Sequence, residues 1–129
     1  MNYLLDTHTL LWAASSPEKI SQLVTDIILQ NKNNLFISAV SIWEISIKIN
    51  LNKLSIGDYS VEHFINENCT RLQLKVLPIL LPHLYKVSTM KNFHKDPFDR
   101  LIIAQSQCTG YPVLSSDTAF DDYLVNRIW

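Results

Sequence analysis

Four acidic side chains stand where predicted strands end or predicted helices begin: Asp6, Glu44, Asp99 and Asp117. Two carboxylates about 4 Å apart repel by roughly 4 kcal/mol at an effective dielectric constant near 20, so a cluster of them takes up a proton or binds a cation. Oxygen ligands without cysteine or histidine favour Mg²⁺ or Mn²⁺ over zinc. If the acids meet, they predict metal-assisted hydrolysis of a phosphodiester bond.

Each acid also has a purely structural interpretation, which the sequence leaves open. Glu44 stands three residues after Ser41, the spacing of a capping box. Asp99 lies in the first turn of a predicted helix, where negative charge is favoured. Asp117 suits the start of a turn, whereas Asp6 closes a buried strand, where an acid is seldom a structural necessity. The functional interpretation therefore depends on the set and not on any one member.

The sequence indicates no other catalytic arrangement. Its four histidines share no common spacing, so a histidine-based metal site is not predicted. They are His8, His63, His83 and His94. Ser115 and Ser116 lack the glycine context of a nucleophile elbow, and two glycines are too few for a phosphate-binding loop. The two cysteines, Cys69 and Cys108, have no paired spacing, so neither a disulfide scaffold nor a zinc finger is expected.

The charge balance limits how the chain could bind nucleic acid. There are 11 lysines and arginines against 12 aspartates and glutamates, a formal net charge of −1, which excludes a strongly basic surface. One basic segment flanks Asp99 and could attract a phosphate backbone, although a solvated face is the commoner explanation. It comprises Lys86, Lys91, His94, Lys95 and Arg100.

Four short apolar runs predict the strands that would position the acids. They are 2–5, 35–37, 74–77 and 113–115. Because predicted helices separate them, we expect an α/β fold, a parallel sheet of about four to five strands flanked by helices on both faces. Ligands bind such sheets beyond the carboxyl ends of the strands, where the connection order reverses. The acids would meet at that edge if their strands are neighbours and the helix of Asp99 points the same way.

Local signals predict the limits of the helices. After a short helical turn over 7–14, we expect helices over about 17–31, 41–52 and 61–70, and a short one from Pro82. Asp96 followed by Pro97 predicts the start of the last helix, and Gly110 its end.

The length of 129 residues suits one domain, and we expect a single domain over 1–129. No apolar run approaches the roughly 18 residues that a membrane helix needs. Residues 1–14 do not resemble a signal peptide. With so few cysteines, these features predict a soluble protein of the reducing cytoplasm.

Four segments resemble the sequences of PIN-domain proteins, most closely the VapC-type toxins of bacterial toxin–antitoxin pairs. They are Leu4 to His8, Ser41 to Ile45, His94 to Gln105 and Ser116 to Phe120. The most specific element is the stretch DPFDR, followed after two residues by IAQ. The resemblance covers essentially the whole chain.

This resemblance implies that Asp6, Glu44, Asp99 and Asp117 hold Mg²⁺ or Mn²⁺. Asp6 and Asp99 would be the main ligands, and Glu44 and Asp117 would bind the ion directly or through water. No protein nucleophile would be needed, since water attacks the phosphorus. The resemblance thus gives the four acids one shared catalytic role.

The resemblance also implies roles for neighbouring residues and for partners. Thr7, Ser38 and Ser116 would orient carboxylates through their hydroxyl groups. Arg100 matches a family position, where it would either steady the fold or contact RNA. A cognate VapB-type antitoxin, inserting a segment at the acidic cleft, and a homodimer are implied as partners.

Three functions from different classes follow. The first is a divalent-metal-dependent endoribonuclease that hydrolyses RNA as the toxin of a toxin–antitoxin module. The second is a catalytically silent PIN-like domain that binds RNA or protein, against which the complete set of acids argues. The third is a phosphatase with Asp6 as nucleophile, but His8 stands where that signature needs a second aspartate. The RNA cleaved, the number of ions and the dimer geometry stay open.

Overall fold

The computed structural model describes all of residues 1–129 and contains one five-stranded parallel sheet. Its strands are β1 (Asn2–Leu5), β2 (Asn34–Ser38), β3 (Leu74–Leu77), β4 (Val113–Leu114) and β5 (Arg127–Ile128). They lie in the order β3-β2-β1-β4-β5, so β1 is the central strand. The predicted parallel sheet is confirmed. The fifth strand, β5, has only two residues, too few to show a periodic pattern.

Six helices cover the two faces of the sheet, as predicted. They are α1 (Thr7–Ser15), α2 (Gln22–Leu29), α3 (Ala39–Asn50), α4 (Val61–Leu72), α5 (Leu81–Val87) and α6 (Pro97–Thr109). Successive residues of β1 point to opposite faces. Leu5 therefore packs with Val24 of α2 and Ile45 of α3 in one buried core, whereas Leu4 packs with Ile102 of α6 in another. None of the helices has the length and apolar character needed to cross a membrane.

Two of the predicted helix boundaries are wrong. The helix expected over 17–31 is divided into a 3₁₀ turn at Pro17–Lys19 and α2, because Ile20 is extended and the Ser21 side chain caps α2. The helix expected to begin at Ser41 begins at Ala39, and its cap is Ser38, whose hydroxyl accepts a hydrogen bond from the N–H of Val40 at 3.0 Å. The chain thus passes directly from β2 into α3, with the cap at the end of the strand.

The signals predicted for α6 are confirmed. The Asp96 carboxylate accepts hydrogen bonds from the N–H groups of Phe98 at 2.9 Å and Asp99 at 3.2 Å, and Pro97 follows as the first helical residue. Gly110 ends the helix with a φ of 75°, a left-handed conformation that a residue without Cβ adopts at little cost. The Asp96 cap holds the first turn of α6, which carries Asp99.

Candidate functional site

The candidate site lies where the order of connections reverses beside β1. The chain leaves β1 for β2 on one side, and it later returns to form β4 on the other side. The N–H of Asp6 donates to the Leu114 carbonyl at 3.2 Å, so the residue after β1 lies against the end of β4. In open parallel sheets this crevice is where ligands bind.

Asp6 is buried at the centre of the crevice, with 4% of its surface exposed. Its Oδ1 accepts a hydrogen bond from the N–H of Thr9 at 2.8 Å and so caps α1. Its Oδ2 accepts one from the Ser115 hydroxyl at 2.5 Å. Burial raises the pKa of Asp6, and these hydrogen bonds oppose the rise. The carboxylate is thus held in one orientation by two elements, α1 and the end of β4.

Glu44 is equally buried and is held by a hydroxyl on one side and an amine on the other. Thr7 Oγ1 lies 2.8 Å from Glu44 Oε1 and 2.9 Å from Ser41 Oγ. Lys48 Nζ lies 2.8 Å from Glu44 Oε2, as the spacing of four residues predicts. The capping-box interpretation of Ser41 and Glu44 is wrong, because both lie inside α3 and Ser38 is its cap. Glu44 therefore has no capping task in this helix.

Asp99, Asp117 and His94 form a second, more open group. His94 Nε2 lies 2.8 Å from Asp99 Oδ2, and one nitrogen or carboxylate oxygen from each of the three residues lies within 4.8 Å of the others. Burial raises the pKa of Asp99 to about 6. The hydrogen bond with His94 opposes this rise, and the negative charges of Asp96 and Glu44 add to it. A negative charge on Asp99 is therefore costly without a further cation.

Ser115 joins the two groups. Its hydroxyl donates to Asp6, and it accepts a hydrogen bond from the N–H of Asp117 at 3.0 Å. Asp117 also caps the 3₁₀ turn that follows it, since its Oδ1 accepts from the N–H of Ala119 at 2.9 Å. This confirms that the Asp117 side chain heads a turn. The four predicted acids lie along one edge of the sheet, and their role as ligands stays a prediction.

The hydroxyl groups that contact the carboxylates are partly those expected. Thr7 contacts Glu44, as the resemblance implies. Ser38 instead donates to Gln105 Oε1 at 2.5 Å. The hydroxyl that contacts Asp6 belongs to Ser115 and not to Ser116, the residue that the resemblance implies. The sequence patterns discussed above do not assign this role to Ser115. Its place directly after β4, beside the end of β1, is the signal that could have identified it.

His94 is the second residue of the site that the sequence does not identify, because the spacing between histidines carries no information about its contact with Asp99. Arg100 Nη1 donates to the carbonyls of Lys91 at 3.0 Å and His94 at 3.2 Å. The Tyr123 hydroxyl accepts from the N–H of His94 at 2.9 Å and donates to the Lys91 carbonyl at 2.9 Å. The sequence leaves open whether Arg100 steadies the fold or contacts RNA. In the structure it steadies the fold, because its hydrogen bonds hold the segment that precedes α6.

The donor set fits a hard divalent cation. A carboxylate oxygen of Asp99 and one of Asp117 lie within 4.8 Å of each other. Glu44 adds negative charge near Asp99. Mg²⁺ and Mn²⁺ prefer such oxygen ligands. Lys48 is the only lysine or arginine paired with one of the four acids. An added cation would therefore offset charge that the protein leaves largely unpaired.

Comparisons with known proteins agree with this architecture. The PIN domain family model matches residues 3–124. The fold is similar to that of VapBC2 from Rickettsia felis bound to a DNA fragment from their promoter, with a TM-score of 0.76, 13% identity, and coverage of 99% of this chain and 98% of that one.

Two further solved structures have the same fold. DNA-bound VapBC from Salmonella typhimurium has a TM-score of 0.70 and 15% identity, and the match covers 99% of this chain and 97% of that one. FitAcB from Neisseria gonorrhoeae has a TM-score of 0.68 and 18% identity, with coverage of 100% and 97%. Identities of this size support the fold alone. No curated protein matches the sequence significantly.

Proposed function

The chain belongs to the PIN domain family, and from this premise we propose that it is a divalent-metal-dependent endoribonuclease. The observation that carries the proposal is the arrangement of four acids from distant segments at the switch point of the sheet. Asp6, Glu44, Asp99 and Asp117 would hold Mg²⁺ or Mn²⁺. Such an ion, when bound, lowers the pKa of water and offsets negative charge on a phosphoryl oxygen.

The protein's own groups would prepare the site for this chemistry. Ser115 and Thr7 orient the Asp6 and Glu44 carboxylates through the hydrogen bonds described above, so little reorganisation is needed when substrate binds. Lys48 offsets part of the charge on Glu44. The exposed Lys95 precedes Asp99 by four residues and is available to attract a phosphate backbone.

We further propose that the protein is the toxin of a toxin–antitoxin pair. The solved structures that share its fold are described as VapBC, FitAcB and toxin–antitoxin complexes. The proposal therefore includes a VapB-type antitoxin as partner, a homodimer, and the cytoplasm as compartment, because RNA substrates are found there. Residues 1–129 would act as a single domain.

Cleavage of defined RNA tests the nuclease proposal. The purified protein is incubated with RNA or single-stranded DNA in Mg²⁺ or Mn²⁺, with and without EDTA, beside Asp6→Asn and Asp99→Asn. We expect cleavage of RNA that EDTA abolishes and that each variant lowers by at least about 100-fold, because each removes charge that steadies the transition state.

The matched control is Asp58→Asn, which changes an exposed aspartate outside the site and should leave the rate unchanged. Cleavage that persists in EDTA, or in both site variants, would reject the mechanism. Binding of RNA without cleavage in any metal would instead support the catalytically silent domain. Copurification with a VapB-type protein tests the antitoxin partner, and the molecular mass measured by light scattering tests the homodimer.

A further inference from the structure

The side chain of His94 lies beside Asp99 and Asp117, where the proposed function needs only oxygen ligands. Its Nε2 lies 2.8 Å from Asp99 Oδ2. One ligand atom each from His94, Asp99 and Asp117 lies within 4.8 Å of the others. The His94 and Asp99 side chains are 24% and 22% exposed, so a small ion can reach both from solvent.

The backbone of His94 is fixed on both sides. Its N–H donates to the Tyr123 hydroxyl at 2.9 Å, and its carbonyl accepts from Arg100 at 3.2 Å. Tyr123 is itself buried, with 8% of its surface exposed. The imidazole is therefore carried by an anchored segment, as a ligand must be if it is to bind without a large loss of entropy.

The spacing of these atoms suits neighbouring ligands of one ion. Metal–ligand bonds of about 2.1 Å at right angles place adjacent ligand atoms about 3 Å apart and opposite ones about 4.2 Å apart. The distance between His94 Nε2 and Asp99 Oδ2 is close to the first value. The ligand atom of Asp117 lies within 4.8 Å of those of His94 and Asp99, a limit slightly above the second value.

Building on the proposed function, we propose that His94 supplies a nitrogen ligand to the divalent cation, beside Asp99 and Asp117. Magnesium binds almost entirely through oxygen, whereas imidazole is a good ligand for transition-metal ions. His94 would therefore make the centre favour Mn²⁺ over Mg²⁺. A simple hydrogen bond between His94 and Asp99, the alternative, gives no such preference.

Pulsed electron paramagnetic resonance of the Mn²⁺-loaded protein tests the ligand directly, because a bound imidazole produces a ¹⁴N modulation that oxygen ligands do not. We expect the modulation in the wild type and its loss in His94→Asn, which keeps a polar side chain but is too short to place an atom where Nε2 lies. His8→Asn, beside Asp6, and His63→Asn, on α4, are the matched controls and should keep it.

Titration with each metal gives the second measurement. His94→Asn should weaken Mn²⁺ binding by about tenfold and Mg²⁺ binding by less than about threefold, because only the first ion gains from nitrogen. The control variant His63→Asn, on α4, should change neither affinity.

The outcomes separate the two proposals. Mn²⁺ that binds the wild type without nitrogen modulation overturns the role of His94 and leaves the metal-dependent nuclease intact. Modulation that persists in His94→Asn and disappears in His8→Asn also overturns it. Failure of the wild type to bind either ion contradicts both proposals.

Discussion

The four acids divide into two pairs that share one edge of the sheet and are held in different ways. The inner acids, Asp6 and Glu44, are each only 4% exposed and contact hydroxyl groups at 2.5 and 2.8 Å. The outer acids, Asp99 and Asp117, are more open, and His94 is the group that reaches Asp99. The fold thus orients the inner acids and leaves the charge of Asp99, one of the outer acids, only partly balanced.

This difference predicts opposite effects on stability. Removing a hydrogen-bond partner of an inner acid leaves buried polar atoms unsatisfied, which costs free energy. Removing the charge of Asp99, the less exposed of the outer acids, relieves desolvation and repulsion, which gains free energy in the absence of metal. The variants below test the comparison in order of expected effect.

The largest effect is expected for Thr7→Val, which keeps the shape of the side chain and removes its hydroxyl. Glu44 and Ser41 then lose a partner in a buried site, so the free energy of unfolding should fall by about 2 kcal/mol. This corresponds to a decrease in Tm of roughly 5–10 °C in a thermal scan with EDTA. Thr70→Val, at an exposed position of α4, is the control. An unchanged Tm for Thr7→Val would show that the inner acids are not held by this contact.

A smaller effect of opposite sign is expected for Asp99→Asn. The folded pKa of Asp99 is about 6, above its ordinary value of 3.8, so the folded state binds the proton more tightly. The stability that this proton contributes is complete below about pH 4 and is lost as the pH rises to about 6. Relative to the wild type, Asp99→Asn should therefore gain about 1–2 kcal/mol across this window, after allowance for solvent screening.

Urea unfolding at several pH values in EDTA measures this gain. Asp58→Asn, with its exposed side chain, should follow the wild type throughout. If the free energies of unfolding of Asp99→Asn and the wild type stay parallel from pH 4 to pH 7, the charge of Asp99 is not unbalanced in the folded state.

The smallest effect is expected for Lys48→Gln. Lys48 Nζ lies 2.8 Å from Glu44 Oε2, and the lysine side chain is 38% exposed. We expect a loss of about 0.5 kcal/mol, typical of a pair four residues apart on a helix. Urea unfolding beside Lys53→Gln, at an exposed position, measures it. A loss greater than that of Thr7→Val would mean that charge, and not the hydroxyl group, holds the inner acids.

The sequence by itself determined most of the elements and some of their ends. Apolar runs predict β1, β2 and β4, because strands buried on both faces are almost entirely apolar. The edge strand β3 is predicted by its three apolar residues, although Lys75 within it is exposed. Asp96, Pro97 and Gly110 predict the limits of α6, since caps act over a few residues. The two-residue β5 and the cap of α3 at Ser38 escape such signals, because neighbouring strands decide where those segments begin.

Tertiary structure alone decided which side chains meet. Ser115 reaches Asp6 across 109 residues and Thr7 reaches Glu44 across 37, because the strand order brings those segments to one edge. His94 and Asp99 are only five residues apart, yet their contact depends on Arg100 and Tyr123, which hold the preceding segment in place. Residue types define the available chemistry, and packing selects which of those residues act together.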